Sequence, residues 1–350
     1  MDIEKLRYLM ERDGYSNFRI KQAKKAVYFR LISSWDEASD LSEELRKLLK
    51  NELPISSFTE VRKQESKDSL KLLLKTNDGQ FIETVLMRHL NQKQDETMEG
   101  RNTICISSQA GCPMGCSFCA TGKMGLKRNL TAEEIVDQVL HFARILKKDG
   151  SKVNNIVFMG MGEPFNNYDN VMLAIKTLND KDGFNIGIRH ISVSTCGIVP
   201  AIKKFADEET QVNLAISLHA PNDKIRNQIM PINKAYNIKK LLDAVDYYIE
   251  KTNRKVMFEY ILIDGVNDSE ENARELAKLM HKKLYHLNLI KYHDTGVYKS
   301  TSKDKRRIFF DILKKAGVST TFRISFGEDI SAACGQLSTK EVMIEPNVKK

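Results

Sequence analysis

Four of the six cysteines of this 350-residue chain fall in one stretch, Cys105-Ile-Ser-Ser-Gln-Ala-Gly-Cys112-Pro-Met-Gly-Cys116-Ser-Phe-Cys119. Cys112, Cys116 and Cys119 are spaced C-x3-C-x2-C, and Gly111 and Gly115 permit the tight turns that aim three sulfurs at one point. A loop of this kind binds an iron–sulfur cluster or zinc. Three thiolates on a [4Fe-4S] cube leave one iron open to a small molecule, whereas structural zinc takes a closed set of four ligands. Cys105 stands apart on a strand-like run, Thr103-Ile-Cys-Ile-Ser107, where it is less free to join the loop. The spacing favours the cluster; zinc, or a set of buried structural thiols, stays open on spacing alone.

With Phe118 before the third cysteine, the triplet resembles the radical S-adenosylmethionine (AdoMet) superfamily. Five further motifs accompany it: Gly160-Met-Gly-Glu-Pro164, Ser194-Thr-Cys-Gly197, Ser217-Leu-His-Ala-Pro-Asn-Asp223, Met230-Pro-Ile-Asn233 and Asp329-Ile-Ser-Ala-Ala-Cys-Gly-Gln-Leu337. Together they resemble the RNA-adenine methyltransferases of the RlmN/Cfr family over most of the chain. The resemblance implies methylation of an adenosine carbon, C2 or C8, of 23S rRNA at the peptidyl-transferase centre, with tRNA as a further candidate substrate. It also implies AdoMet, one [4Fe-4S] cluster on Cys112, Cys116 and Cys119, and an electron donor such as flavodoxin or ferredoxin. Ser325-Phe-Gly-Glu-Asp329 looks nearer to the C8 enzymes, while Gly-Glu-Pro and Ala220-Pro-Asn-Asp223 look nearer to the C2 enzymes.

The elements that must position these residues are legible in the hydrophobic pattern. Residues 1 to about 50 read as helical, with Tyr15 to Ile32 apolar at helical spacing and Asp40 to Leu49 a second amphipathic piece. Two strand-like runs, Ser69 to Lys75 and Gln80 to Met87, are joined at Asn77-Asp78-Gly79, a hairpin signal. Residues 1–90 are therefore expected to be a small accessory domain that binds RNA, followed by a polar stretch from Asn91 to Arg101. Thr131-Ala-Glu-Glu134 is a capping box opening a helix to about Lys148. Strands are expected at Thr103–Ser107, Asn155–Gly160, His190–Thr195, Val212–Leu218, Lys255–Leu262 and His286–Lys291, alternating with helices such as Asn237–Lys251, Ser269–Lys282 and Lys303–Ala316. Six such units over residues 91–337 predict an incomplete (β/α)6 barrel, the fold the resemblance also implies, with a doubly wound open sheet as its rival. In a barrel the chemistry sits at the C-terminal ends of the strands, and the motifs fall at those ends. Residues 338–350 are expected to be a loose tail.

By resemblance each motif acquires a role. Gly162 and Glu163 would meet the amino group of AdoMet, Ser194 would hydrogen-bond the cofactor, and Ser217, Leu218 and His219 would line its ribose and carboxylate. The family's sixth-strand motif ends in asparagine, but here Asn288-Leu-Ile-Lys-Tyr-His293 has histidine at that place, which offers a donor or an acceptor in its stead. An aromatic carbon of adenine is too weak a nucleophile for simple methyl transfer, so the family uses a second thiol. Cys334 matches the cysteine that becomes S-methylcysteine, Cys105 the thiol that resolves the covalent product through a transient disulfide with it, and Glu83 the acceptor of the adenine ring proton. Cys196 reads as packing, and without the resemblance Glu83 reads as an exposed hairpin residue.

Composition bounds the class. With 41% hydrophobic residues the chain can build a sizeable core, and no apolar run is long enough to span a membrane. Six cysteines in so long a chain are no disulfide framework, so a soluble, cytoplasmic and monomeric protein is expected. The formal charge of +9 favours an anionic partner. His281 to Arg323 holds eleven Lys and Arg against three Asp, and its run Lys303-Asp-Lys-Arg-Arg307, near Tyr292, His293 and Tyr298, suits RNA phosphates or, as plainly, a solvated helix face. Two readings from other classes stay open: a radical AdoMet enzyme acting on a protein or small molecule, and a zinc-stabilised RNA-binding protein without catalysis.

Overall fold

The computed structural model of the protein describes residues 1–89 and 100–339. Most of the expected polar stretch and most of the expected tail lie outside the described residues, and Arg101, the last residue of that stretch, opens a strand. The chain opens with three helices, α1 (Ile3–Arg12), α2 (Asn17–Lys24), which runs on into a wider π turn to Phe29, and α3 (Glu43–Glu52). Asp2 and Ser42 cap α1 and α3 by accepting from backbone amides at their first turns. Next come strands β1 (Phe58–Glu65), β2 (Ser69–Thr76) and β3 (Phe81–His89), then β4 (Arg101–Cys105) and a small ribbon of β5 (Gln109–Cys112) and β6 (Gly125–Asn129).

From there helices and strands alternate: α4 (Ala132–Lys148), β7 (Asn155–Phe158), α5 (Tyr168–Asn179), β8 (Ile191–Thr195), α6 (Val199–Asp207), β9 (Asn213–Ser217), α7 (Asp223–Ile229), α8 (Ile238–Thr252), β10 (Val256–Leu262), α9 (Glu270–Leu279), β11 (Tyr285–Lys291), α10 (Lys303–Lys315) and β12 (Thr320–Phe322). One ten-stranded sheet, in the order β1-β2-β3-β4-β7-β8-β9-β10-β11-β12, carries the fold. β4 and the strands after β6 run parallel, which gives the expected incomplete barrel plus a short seventh parallel strand, β12. The capping box on α4 forms as expected, Thr131 N donating to Glu134 and Glu134 N to Thr131.

The expected hairpin is part of this sheet. β3 pairs antiparallel with β4, Val85 facing Cys105, so the sheet runs across the boundary expected near residue 90. The N-terminal helices share the same core, with Leu6, Leu9, Trp35 and Leu49 packed in one cluster with Leu70, Leu72 and Leu74 of β2 and Val136 and Phe142 of α4. β1 was not expected because half of its eight residues are charged and most are exposed, the pattern that keeps a sheet edge from pairing with another chain. No helix among the described residues is long and apolar enough to cross a membrane.

The loops at the C-terminal rim are tied by one cation. Arg226 of α7 is fully buried, and its guanidinium donates to Cys196 O (2.7 Å), Leu218 O (3.2 Å), Ser217 O (3.2 Å) and Asn233 Oδ1 (2.9 Å). It thereby joins the loops after β8 and β9 to the turn after α7. Arg226→Met should leave several buried acceptors without donors and lower stability by roughly 3–5 kcal/mol. The urea-unfolding midpoint measures this; a midpoint equal to wild type would show that these loops hold without the cation.

Candidate active site

The cysteine loop is held at both ends by the β5–β6 ribbon. Its approach needs glycine: Gly111 has φ +78°, and a Cβ there would lie 2.0 Å from Gly125 O. Cys112, Cys116 and Cys119 line one cavity of about 150 Å³, together with Gly162, Glu163, Ser194, Ser217 and His219. The structure thus brings the three thiols to five of the seven expected cofactor residues. Burial pushes the Cys112 thiol up to about 12 and that of Cys116 up as well, so a thiolate there needs an iron or another cation to hold its charge.

Each cofactor residue is fixed by its own backbone. Gly162 sits at φ +102°, where a Cβ would meet the Gln109 side chain at 2.6 Å. The Glu163 carboxylate is already engaged, accepting from Phe165 N (3.0 Å) and Cys196 N (2.7 Å). Its expected meeting with an amino group therefore leans on the backbone of the Gly162–Glu163 turn. His219 adopts φ +55°, and its Nδ1 accepts from Ile261 N at 3.1 Å. Burial pushes the imidazole down to about 3, so the ring is neutral and Nε2 carries the hydrogen.

Two expected cofactor residues stand elsewhere. Leu218 is fully buried away from the cavity wall, contributing its backbone N–H to Glu259 O. His293 lines a second, larger cavity of about 530 Å³, where its Nε2 meets Ser325 Oγ at 2.9 Å. The histidine that replaces the family's asparagine is thus turned away from the cofactor cavity.

The larger cavity holds the other two thiols. Cys105 and Cys334 both line it, and Cys119, Arg323 and Cys334 line both cavities, so the two spaces meet at Cys334. All six cysteines are free thiols. Burial pushes Cys105 up to about 12, while the Arg323 guanidinium pulls the other way. Cys334 is open to solvent through the cavity yet ringed by protein, which pushes its thiol up, again opposed by Arg323. Glu83 is buried, contrary to the reading of an exposed hairpin residue, because β3 continues the barrel sheet.

Comparison with known proteins agrees with this geometry. The description "Radical SAM superfamily" matches residues 106–277. The probable dual-specificity RNA methyltransferase RlmN of Staphylococcus saprophyticus is 48% identical over 336 residues, covering 95% of this chain and 90% of that protein. The protein of the same name in Staphylococcus aureus strain JH9 is also 48% identical, over 335 residues, with the same coverage of both chains. A crystal structure of a radical SAM methyltransferase from Sphaerobacter thermophilus superimposes with a TM-score of 0.90 at 44% identity, covering 96% of this chain and 97% of that one. The chain belongs to the RlmN family of radical SAM methyltransferases.

As a member of the RlmN family it is a methyltransferase that uses a [4Fe-4S] cluster and AdoMet, and the residues present fit both. Among the described residues no three His, Cys, Asp or Glu side chains are placed to hold a single metal ion. Three soft thiols around one cavity suit a multi-iron cluster, whose irons are spaced apart, better than a closed zinc site. The cavity wall also includes Glu259, whose buried Oε2 has no hydrogen-bond partner, while Oε1 accepts from Asn288 Nδ2 (3.0 Å) and lies 3.3 Å from an Arg323 nitrogen. An acceptor left open there fits a cofactor rich in hydroxyl donors.

Glu259 and Arg323 were missed in the sequence because a single charge within an apolar strand, as in β10, or just past a three-residue one, as after β12, carries no motif; for Glu259 the alternation of faces along β10 was the available signal. The basic run on α10 is partly spent within the fold. Lys305 Nζ pairs with Asp264 Oδ1 at 2.8 Å, and Arg307 Nε lies 4.0 Å from Asp311 Oδ2, so two of the four cations of this run have acidic partners within the fold. For the cluster, Cys112→Ala, Cys116→Ala and Cys119→Ala should each lose most of their iron after anaerobic reconstitution, while Cys105→Ala and Cys196→Ala keep it. Iron per chain decides the matter, and full loading of any one of the first three would remove that residue from the ligand set.

Proposed function

We propose that this RlmN-family enzyme methylates an adenosine carbon, C2 or C8, of 23S rRNA at the peptidyl-transferase centre through S-methylcysteine at Cys334. The observation that carries this reading is the position of Cys334, on the wall shared by the cofactor cavity and a larger cavity that also contains Cys105. The larger cavity suits a purine: its walls include Met87, Phe322, Ile324 and Phe326, with Arg101 and Arg189 for phosphates. The relatives' name, dual-specificity RNA methyltransferase, supports tRNA as a second substrate. Exposed Tyr8, Phe18 and Phe29 support an RNA-facing role for the accessory part, residues 1–90. The proposed setting is a cytoplasmic monomer served by flavodoxin or ferredoxin, where a reducing milieu keeps these thiols free.

When bound, the cluster and AdoMet supply the methyl group and one-electron hydrogen abstraction. The chain's own residues do the rest. Gly162, Glu163, Ser194, Ser217 and His219 orient the cofactor and keep water from it, with Leu218 fixing the backbone of that loop. Cys334 takes the methyl group as a thioether, and its carbon, once a hydrogen atom is removed, bonds to the adenine ring. Glu83 accepts the ring proton, and the unpaired electron left on the base would pass to the oxidised cluster when that is bound, so that the adduct is closed-shell. Cys105, as thiolate, then attacks the Cys334 sulfur: an S–S bond forms, the C–S bond breaks, and the electron pair left on carbon takes a proton to give the methyl group. Arg323, next to both thiols, favours the charge this exchange needs. His293 lies on the substrate side and would help to hold the base.

Mass spectrometry of nucleosides from large-subunit rRNA and tRNA, with and without the protein, tests the substrate and separates 2-methyladenosine from 8-methyladenosine. Neither product in either RNA would point to a protein or small-molecule substrate instead. For the thiols, Cys105→Ala should keep its iron and accumulate protein bound covalently to RNA, visible on denaturing gels and lost with ribonuclease. Cys334→Ala and the double variant should form no adduct. Normal turnover by Cys105→Ala would make Cys105 a spectator.

A further inference from the structure

Lys71 and Glu83 form an ion pair, Nζ to Oε1 3.0 Å, with both side chains 7% exposed. They stand on adjacent strands, on the face that also carries Val85 and Cys105, since Lys71 faces Val85 across β2 and β3 and Val85 faces Cys105 across β3 and β4. A buried ion pair is costly unless further hydrogen bonds complete it. Two hydrogen bonds that help to complete it come from the segment that carries Cys334. Lys71 Nζ donates to Ser331 O at 3.2 Å, and Glu83 Oε2 accepts from Ser338 N at 2.8 Å. The other side of the same segment is tied to the cysteine loop, Ala120 N donating to Gly335 O (2.8 Å) and Thr121 Oγ1 to Leu337 O (2.7 Å).

We infer that Lys71 is a positioning residue for the methyl-carrying thiol: with Glu83 it forms a latch that fixes residues 331–338 against β2 and β3 and so sets where Cys334 stands between the two cavities. The latch rests on geometry alone; its effect on turnover rests on the reading of Cys334 given above. It also constrains Glu83. The carboxylate lies beneath the segment, outside the residues that line either cavity, so it reaches an adenine proton only after Ser338 lets go. Release of the segment and exposure of the proton acceptor are then one event.

Amide hydrogen exchange of the iron-loaded protein tests the latch. In Lys71→Met the amides of residues 331–338 should exchange roughly tenfold faster, the change expected for one or two lost hydrogen bonds. Lys71→Arg, which can still reach both Glu83 and Ser331 O, should restore slow exchange. The pair Lys71→Met with Glu83→Gln leaves no buried unpaired charge, which guards against simple unfolding, and should also exchange fast. Glu83→Gln alone keeps an acceptor for Ser338 N and should exchange slowly while losing RNA methylation. For Lys71→Met, kcat should fall with KM for RNA unchanged. Wild-type exchange in both Lys71→Met and the double variant would overturn the latch. Fast exchange with unchanged kcat would overturn Lys71 as a positioning residue for turnover, while loss of the RNA adduct in Cys334→Ala tests the reading of Cys334 on its own.

Discussion

The rim of the sheet depends on a buried guanidinium that lines neither cavity. Arg226 stands under the rim and gathers carbonyls from the ends of β8 and β9 and an amide from the turn after α7. Those carbonyls are at the strand ends, where a parallel sheet leaves backbone acceptors without the next strand's amides. A single planar group with five donors can satisfy several at once, and in doing so it fixes the relative heights of Cys196, Ser217 and Leu218. Ser194, Ser217 and His219 can then face one cavity because their loops cannot slide past one another. The positive φ of His219 belongs to the same constraint: the chain turns sharply there so that the ring points inward while its backbone carbonyl accepts from Asn267.

A second consequence of the open barrel is that two cavities share one wall. The cofactor cavity sits among the rim loops, and the larger cavity runs along the inner face towards Arg101, Asn155 and Asn213 at the other ends of the strands. A closed barrel would fill this interior with layered apolar side chains. Here the inner positions include Asn155, Ser192, Asn213, Glu259, Asn288, Thr321 and Arg323, which hydrogen-bond partly to one another, as in Thr321 Oγ1 to Asn288 Oδ1 at 2.8 Å. Arg323 closes that polar set and faces the thiols of Cys105 and Cys334, where its charge favours thiolate and opposes both burial and the carboxylate of Glu259.

Much of this was legible in the sequence, for reasons that differ element by element. The six expected parallel strands are short buried runs bounded by turn residues, and all begin and end within two residues of the expected bounds. The rim motifs fell where the barrel argument put them because a strand end is fixed by its apolar run. What escaped was non-local. Asn77-Asp78-Gly79 announces a hairpin but says nothing of which strand lies beside it, so the pairing of β3 with β4 could not be read, nor the burial of Glu83 and Lys71 that follows from it. β12 is three residues long, too short for any period, and β5 and β6 hide in a run of glycine and cysteine. His293 aligned with the cofactor motif by position, yet the end of β11 turns it towards Ser325.

The placement of charge shows why total charge was a poor guide to the RNA-binding face. The densest basic run, on α10, lies beside Asp264, Asp268 and Asp311, and its lysine and arginine side chains are partly matched there. Exposed pairs of this kind contribute little stability, but they cancel much of the field a phosphate would feel. Arg101 and Arg189 are fewer, yet both are exposed and line the larger cavity, whose walls also include exposed Phe322 and Ile324. A cleft with low-dielectric walls concentrates the field of the charges at its mouth. Two arginines on a concave wall can therefore act on an anion more strongly than a longer run on a convex helix matched by acids, and on the proposed reading the apolar residues of the same wall would receive an unstacked base.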